Sequence, residues 1–202
     1  PKLIYSNDGI QWLPSTNGNT IFANTYPTAI AFNGSRWVAV GSLWQQYTDE
    51  TQIAYSDDGK TWVKAVGWLN KAFMYSCNYL LWDGSKFLGA DTNNFNGVVY
   101  SYDGINWAKS PSSGFPNGSY AVGYNGKYYL TGNLQGYGGA TTALLSSTNG
   151  INWSPITTPI GNFTISTIMW NGTYWLMGGG SALYMNTNYN PTGTWTQITL
   201  PV

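Results

Sequence analysis

The stretch Tyr55-Ser56-Asp57-Asp58-Gly59-Lys60-Thr61-Trp62 returns as Tyr5 to Trp12, as Tyr100 to Trp107 and, more loosely, as Ser146 to Trp153. In each copy a small polar residue follows the first position, Asp-Gly or Asn-Gly comes next, and Trp closes the unit. A chain built on such a unit has to stack equivalent copies, which restricts it to repeat architectures. Asp-Gly and Asn-Gly favour a two-residue type I′ turn, in which both central residues need positive φ, so each copy is expected to be a tight β-hairpin.

A second kind of hairpin alternates with the first. Its turns centre on Asn33-Gly34, Asp83-Gly84, Asn125-Gly126 and Asn171-Gly172, each preceded by an aromatic residue (Phe32, Trp82, Tyr124, Trp170). Another aromatic follows the glycine at a fixed distance, as Trp37, Phe87, Tyr129 and Trp175. Trp12, Trp62, Trp107, Trp153 and Trp195 close successive units at intervals of 50, 45, 46 and 42 residues. Four short strands in such a period are a β-propeller blade. Runs such as Trp37-Val38-Ala39-Val40 and Tyr174-Trp175-Leu176-Met177 are apolar on both faces, as strands sandwiched between neighbouring blades must be. A β-sandwich is the structural alternative, and the fixed two-hairpin period argues against it.

The expected fold is therefore all-β, a propeller of four-stranded blades. About four and a half blades are present, as a five-bladed ring or part of a longer propeller. The domain spans 1–202, with an outer hairpin at 1–14 and blades at about 28–64, 78–109, 119–155 and 166–202. The last outer hairpin is irregular: Tyr184 to Trp195 spans more residues than Tyr5 to Trp12, and Asn190-Pro191-Thr192-Gly193 makes a wider loop. The N-terminal hairpin lacks inner strands, and an unpaired apolar edge invites association. The missing strands are expected beyond either end of the sequence or from a partner, so homo- or hetero-assembly at the incomplete blade is anticipated. The sequence opens at Pro1 without a Met or a signal-like segment, which points to a processed or excised product.

The run Ser56 to Trp62 and its partners resemble the Asp-box, or BNR-like, repeat of sialidases and other secreted and viral β-propellers. Here the acid and glycine are adjacent, whereas the sialidase Asp-box places one residue between them. The resemblance implies that Asp8, Asp58, Asp103 and Asn149 brace their turns by accepting backbone N–H bonds, and that Trp12, Trp62, Trp107 and Trp153 pack into the blades. Turn chemistry alone gives the acids the same role, and extends it to Asn33, Asp83, Asn125 and Asn171. Sialidase chemistry needs a cluster of arginines, and Arg36 is the only one in the chain; it is expected to be a solvated or packing residue.

The remaining chemistry is sparse. There is no histidine, which removes Ser-His-Asp and Cys-His catalysis and histidine metal sites. Cys77 is the single cysteine and reads as a small buried hydrophobe. The acids are Asp8, Asp49, Glu50, Asp57, Asp58, Asp83, Asp91 and Asp103. Most sit at hairpin turns; Asp49, Glu50 and Asp91 stand in longer loops and are expected to be solvated charges rather than a cation site or a glycosidase acid pair. No enzyme activity, cofactor or metal is expected. Formal net charge is zero without a basic run, which argues against nucleic acid, and no apolar run is long enough for membrane insertion. Sequons include those at Asn33, Asn117, Asn162 and Asn171.

In a propeller the turns within hairpins lie on one face and the connections between hairpins on the other. The long segments Ser42 to Thr51, Thr92 to Gly97, Asn133 to Thr142, Pro14 to Pro27, Val63 to Ser76 and Lys109 to Gly118 all fall on the second face. They carry Trp44, Gln45, Tyr47, Trp68, Phe95, Gln135 and Tyr137, the candidate ligand-binding residues, because aromatics beside amides suit sugar rings and protein partners alike. The expected function is a non-catalytic binding or adhesion module, lectin-like or receptor-facing, extracellular or virion-associated, with a glycan or protein partner. The alternative is a structural assembly protein, a virion or surface-layer component in which the propeller is a protein-protein scaffold.

Overall fold

The computed structural model describes residues 2–43, 53–65, 77–91, 97–111, 118–132, 144–156, 164–180 and 182–199. It is a β-propeller of four four-stranded antiparallel sheets and one two-stranded sheet. The half-blade is β1 (Ile4–Tyr5) with β2 (Leu13–Pro14). The first blade follows as β3 (Thr25–Phe32), β4 (Trp37–Leu43), β5 (Ile53–Ser56) and β6 (Val63–Lys64). The second is β7 (Cys77–Trp82), β8 (Phe87–Asp91), β9 (Val98–Ser101) and β10 (Ala108–Lys109). The third is β11 (Ala121–Tyr124), β12 (Tyr129–Gly132), β13 (Leu144–Ser147) and β14 (Ser154–Ile156). The fourth is β15 (Thr167–Trp170), β16 (Trp175–Gly179), β17 (Ala182–Asn186) and β18 (Thr196–Ile198).

Each blade is a meander, and neighbouring blades meet through their innermost strands, β3 on β7, β7 on β11 and β11 on β15. The apolar cores lie between blades. Val38, Val40, Leu80, Phe87, Val99 and Trp107 fill the first interface. Leu88, Val122, Tyr129 and Leu145 fill the second, and Leu130, Ile165, Ile168 and Met177 the third. Burial on both faces explains why the second strand of the blade is mostly apolar: β8 and β12 have no exposed residue. Cys77 is fully buried, and burial pushes its thiol well up.

The turns differ from the type I′ expectation. Type I′ needs positive φ at two residues, yet Asn17 is the one described non-glycine residue with positive φ. In the outer hairpins Tyr5 pairs with Leu13, Tyr55 with Val63, Tyr100 with Ala108 and Ser146 with Ser154, so each loop runs from the serine through the Trp. In the inner hairpins Asn33 N donates to the Arg36 carbonyl, which makes Gly34-Ser35, not Asn33-Gly34, the central pair. The physical reason is that the Asp or Asn side chain accepts N–H groups further along the loop, and only the glycine has to turn left-handed.

Two further features escape the repeat pattern. Residues Gly18–Ile21 form a one-turn helix, α1, and Phe22 after it is fully buried in a cluster with Ala39, Ala54 and Trp62. A Cβ on Gly41 would lie 3.1 Å from the Phe22 ring and 2.9 Å from the Tyr26 carbonyl, so glycine there makes room for this plug. In the fourth blade Trp175 pairs with Asn186, which puts Met185, not Tyr184, at the position of Tyr5.

Candidate functional site

The turn end of the propeller is built from one repeated hydrogen-bond pattern. Asp8 Oδ1 accepts from Ile10 N and Gln11 N at 2.8 and 2.8 Å, and Asp58 Oδ1 from Lys60 N and Thr61 N at 2.7 and 2.7 Å. Asp103 does the same with Ile105 N and Asn106 N at 2.8 and 2.8 Å, and Asn149 with Ile151 N and Asn152 N at 2.9 and 2.8 Å. The preceding serine hydroxyl bonds each of these oxygens. In the inner turns Asn33, Asp83, Asn125 and Asn171 receive the N–H groups two and three residues on. Across each inner turn the two aromatics meet, with ring centroids 4.4 Å apart for Phe32 and Trp37 and 4.3 Å for Tyr124 and Tyr129.

These bonds set the titration of the acids. The N–H groups of Thr61 and Lys60 hold Asp58 well below the usual carboxylate range, and those of Gln11 and Ile10 lower Asp8. Burial raises Asp103, but the backbone and side chain of Asn106 and the Ile105 N–H outweigh it and leave the carboxyl at about 2.

Two charged clusters, around Arg36 and Lys86, tie neighbouring blades together. Arg36 Nε and Nη2 reach Asp57 Oδ1 and Oδ2 at 2.6 and 3.1 Å, while Nη1 donates to the Asp103 carbonyl at 2.8 Å. Arg36 is thus neither a solvated charge nor a mere packing residue: it clamps its own blade's outer turn and reaches the next blade. Lys86 is the equivalent residue one blade on. Its buried ammonium donates to Asp83 Oδ2 at 2.7 Å and contacts the Tyr129 hydroxyl at 3.1 Å, and that hydroxyl donates to Asp83 Oδ2 at 2.7 Å. Burial would raise Asp83, and the Lys86 and Tyr129 bonds bring it below its ordinary value; burial and Asp83 together push the Tyr129 phenol up.

Asp91 is not a solvated loop charge either. It closes β8, is fully buried, and its carbonyl accepts Ser119 N at 2.6 Å, because the strand runs further than the hydropathy pattern suggests. Asp49 and Glu50 lie outside the described residues. Among the described residues no three of His, Cys, Asp and Glu could hold a metal. Among the described residues no helix is long and apolar enough to cross a membrane.

Trp44, Gln45, Tyr47, Trp68, Phe95, Gln135 and Tyr137 also lie outside the described residues. The meander order places the strand ends from which their segments leave on one end of the blades, opposite the braced turns.

One expected packing residue is misplaced. Trp62, Trp107, Trp153 and Trp195 are 2%, 4%, 6% and 3% exposed, whereas Trp12 is 56% exposed. Trp107 and Trp153 pack against Phe87 and Tyr129 of their own inner hairpins, and among the described residues the half-blade has no inner hairpin to offer Trp12 an equivalent. A groove of about 530 Å³ opens in that place, at the incomplete blade where the half-blade count leads one to expect assembly.

The sequence matches no protein-family model and no curated protein. The fold is similar to the GH74 xyloglucanase from Xanthomonas campestris, with a TM-score of 0.67 over 93% of this chain at 14% identity. It is similar also to the GH74 enzyme from Niastella koreensis, at 0.66 over 96% and 19% identity. The computationally designed Ika4 protein superposes at 0.57, with 95% of this chain and 99% of that one covered at 15% identity. The chain spans 34% and 33% of the length of the two GH74 proteins. At such identities the likeness is one of fold, and it groups this chain with propeller-type structures.

Proposed function

We propose that this chain is a non-catalytic binding or adhesion module, lectin-like or receptor-facing, whose glycan or protein ligand docks on the end opposite the braced turns. The observation that carries this reading is the use made of the carboxylates. Asp8, Asp58 and Asp103 are held by turn N–H groups, Asp57 by Arg36, Asp83 by Lys86 and Tyr129, and Asp91 is buried. Among the described residues this leaves no pair of acids facing a cleft for proton transfer. Recognition is then left to uncharged side chains, of which Trp44, Gln45, Tyr47, Trp68, Phe95, Gln135 and Tyr137 are concentrated in the connecting segments. A sugar ligand is in keeping with the name of one structural neighbour, a xyloglucanase. An extracellular or virion-borne setting fits a weakly charged chain rich in Asn, Thr, Ser, Gly and Tyr.

A glycan array run beside a partner pull-down, with wild type, Trp44→Ala and Tyr137→Ala, tests this. Binding should fall at least about tenfold in both variants, a loss of about 1.4 kcal/mol. It should vary little with salt, since screening weakens charge-driven contacts, and melting temperatures should stay unchanged. Unaltered binding with a large loss of stability would assign these residues to the core and remove the site.

A further inference from the structure

The groove beside the half-blade is walled by Tyr5 and Trp12 on one side and by Ile30, Trp37, Gly59 and Trp62 of the first blade on the other. What occupies the same position elsewhere can be read from the glycine after each outer turn acid. A Cβ on Gly104 would meet Val38 Cγ2 at 2.7 Å and Arg36 Cδ at 3.3 Å from the preceding blade's inner hairpin, and Phe87 Cε2 at 3.3 Å from its own. On Gly150 it would meet Leu88 Cδ2 at 2.8 Å and Lys86 Cε at 3.1 Å from the preceding blade, and Tyr129 Cε1 at 3.2 Å from its own. At Gly59 the own-blade ring is present, Trp37 Nε1 at 3.2 Å, and its three nearest atoms all belong to that ring. At Gly9 nothing lies within 4 Å. The preceding-blade pair absent at Gly59 and the own-blade ring absent at Gly9 are contacts that one inner hairpin of the half-blade would supply.

The backbone agrees. Ser15 N donates to the Leu3 carbonyl on the β2 side, as Ala65 N donates to the Ile53 carbonyl in the first blade. Alternation along an antiparallel ladder then turns the Ile4 backbone to the groove, where its counterpart Ala54 pairs with Ala39 of β4. The described strands give β1 no partner on that edge.

We propose that this groove is a receptor for one β-hairpin of the repeat's inner type, carried by a partner segment that is none of the described strands. Its pattern is an aromatic residue, Asn or Asp, Gly, two residues, an aromatic and an aliphatic. The second aromatic packs on Trp12, the aliphatic covers Gly59, and the residue just before that aromatic reaches the Asp58 turn as Arg36 and Lys86 reach theirs. Strand addition supplies main-chain hydrogen bonds, and the rings supply selectivity. A second copy of this chain is a poor donor, because all four of its inner hairpins are already paired in their own blades. The inference does not depend on the ligand assigned to the opposite end.

The test is a titration of the 202-residue chain with a fluorescent peptide of the third blade's inner hairpin, residues 119–132, cyclised because an isolated two-stranded hairpin is marginal in water. Saturable binding is expected, weakened at least about tenfold, or about 1.4 kcal/mol, by Trp12→Ala in the protein and by Tyr129→Ser in the peptide. Since Trp12 is more than half exposed, its loss should leave the melting temperature of the free chain unchanged, which separates a binding effect from misfolding. Three results would overturn the proposal: no saturation up to about 1 mM peptide, equal binding by the Tyr129→Ser peptide, or a self-associated chain whose β1 edge is already covered by a second copy.

Discussion

The half-blade and the third blade use the same outer-turn chemistry and reach opposite outcomes. Asp8 and Asn149 accept the same two N–H groups at nearly the same distances. Yet Trp153 is buried, while Trp12 stands in solvent. The turn is therefore a local device that forms wherever Ser, Asp or Asn, and Gly fall at the right spacing. Burial of the Trp is a property of the neighbours, an inner hairpin of the same blade and a blade before it.

The largest effect that tests this contrast is a pair of truncations. Trp107→Ala should cost about 3–5 kcal/mol, the usual range for removing a buried large aromatic, whereas Trp12→Ala should stay within about 0.5 kcal/mol, as exposed positions do. Urea denaturation of both variants measures it, and equal losses would mean that Trp12 is packed in solution. The next effect concerns the blade ties. Asp83→Ala strands the buried Lys86 ammonium and should cost about 3–5 kcal/mol. Arg36→Ala disturbs a pair whose acid is mostly exposed and should cost about 0–1 kcal/mol.

How far the sequence carried this reading depends on the range of the interaction. Asp58, Asn125 and their equivalents are legible because their partners lie two and three residues away. The propeller is legible because Trp recurs at a blade's interval. Phe22 is not, since it docks on a blade whose sequence gives no notice of it, and the room it needs is made by Gly41. Arg36 looked solitary because its partners, Asp57 and the Asp103 carbonyl, are brought to it by stacking of the blades. Asp91 looked like a loop acid because strand length, not composition, decides where β8 ends. The candidate ligand residues Trp44 and Tyr137 rest on their place in the connecting segments.

A smaller effect sharpens the comparison at the level of single turns. Asp103→Ala removes a brace in a complete blade and should cost about 1 kcal/mol, comparable with loss of a helix N-cap, while Asp8→Ala should leave global stability unaltered because the half-blade carries little of the core. The smallest effect is the pH dependence. Asp103 sits at about 2 in the fold, against about 3.9 in an unfolded chain. A lowered folded value means that its stabilisation is complete above about pH 4 and is lost as pH falls through about 2. Asp103→Asn, which keeps the acceptor and cannot titrate, should flatten the acid limb of the stability curve; an unchanged limb would show that the turn carboxylate is not what acid releases.

The most direct measurement is native-state hydrogen exchange at the Ile4 amide beside those of Ala54, Val99 and Leu145, which hold the same position in the complete blades. The prediction is that these three exchange only through large-scale opening, while Ile4 exchanges near the unprotected rate, because none of the described strands pairs with β1 on that edge. An Ile4 amide as slow as the other three, in a monomeric chain, would contradict the open blade position.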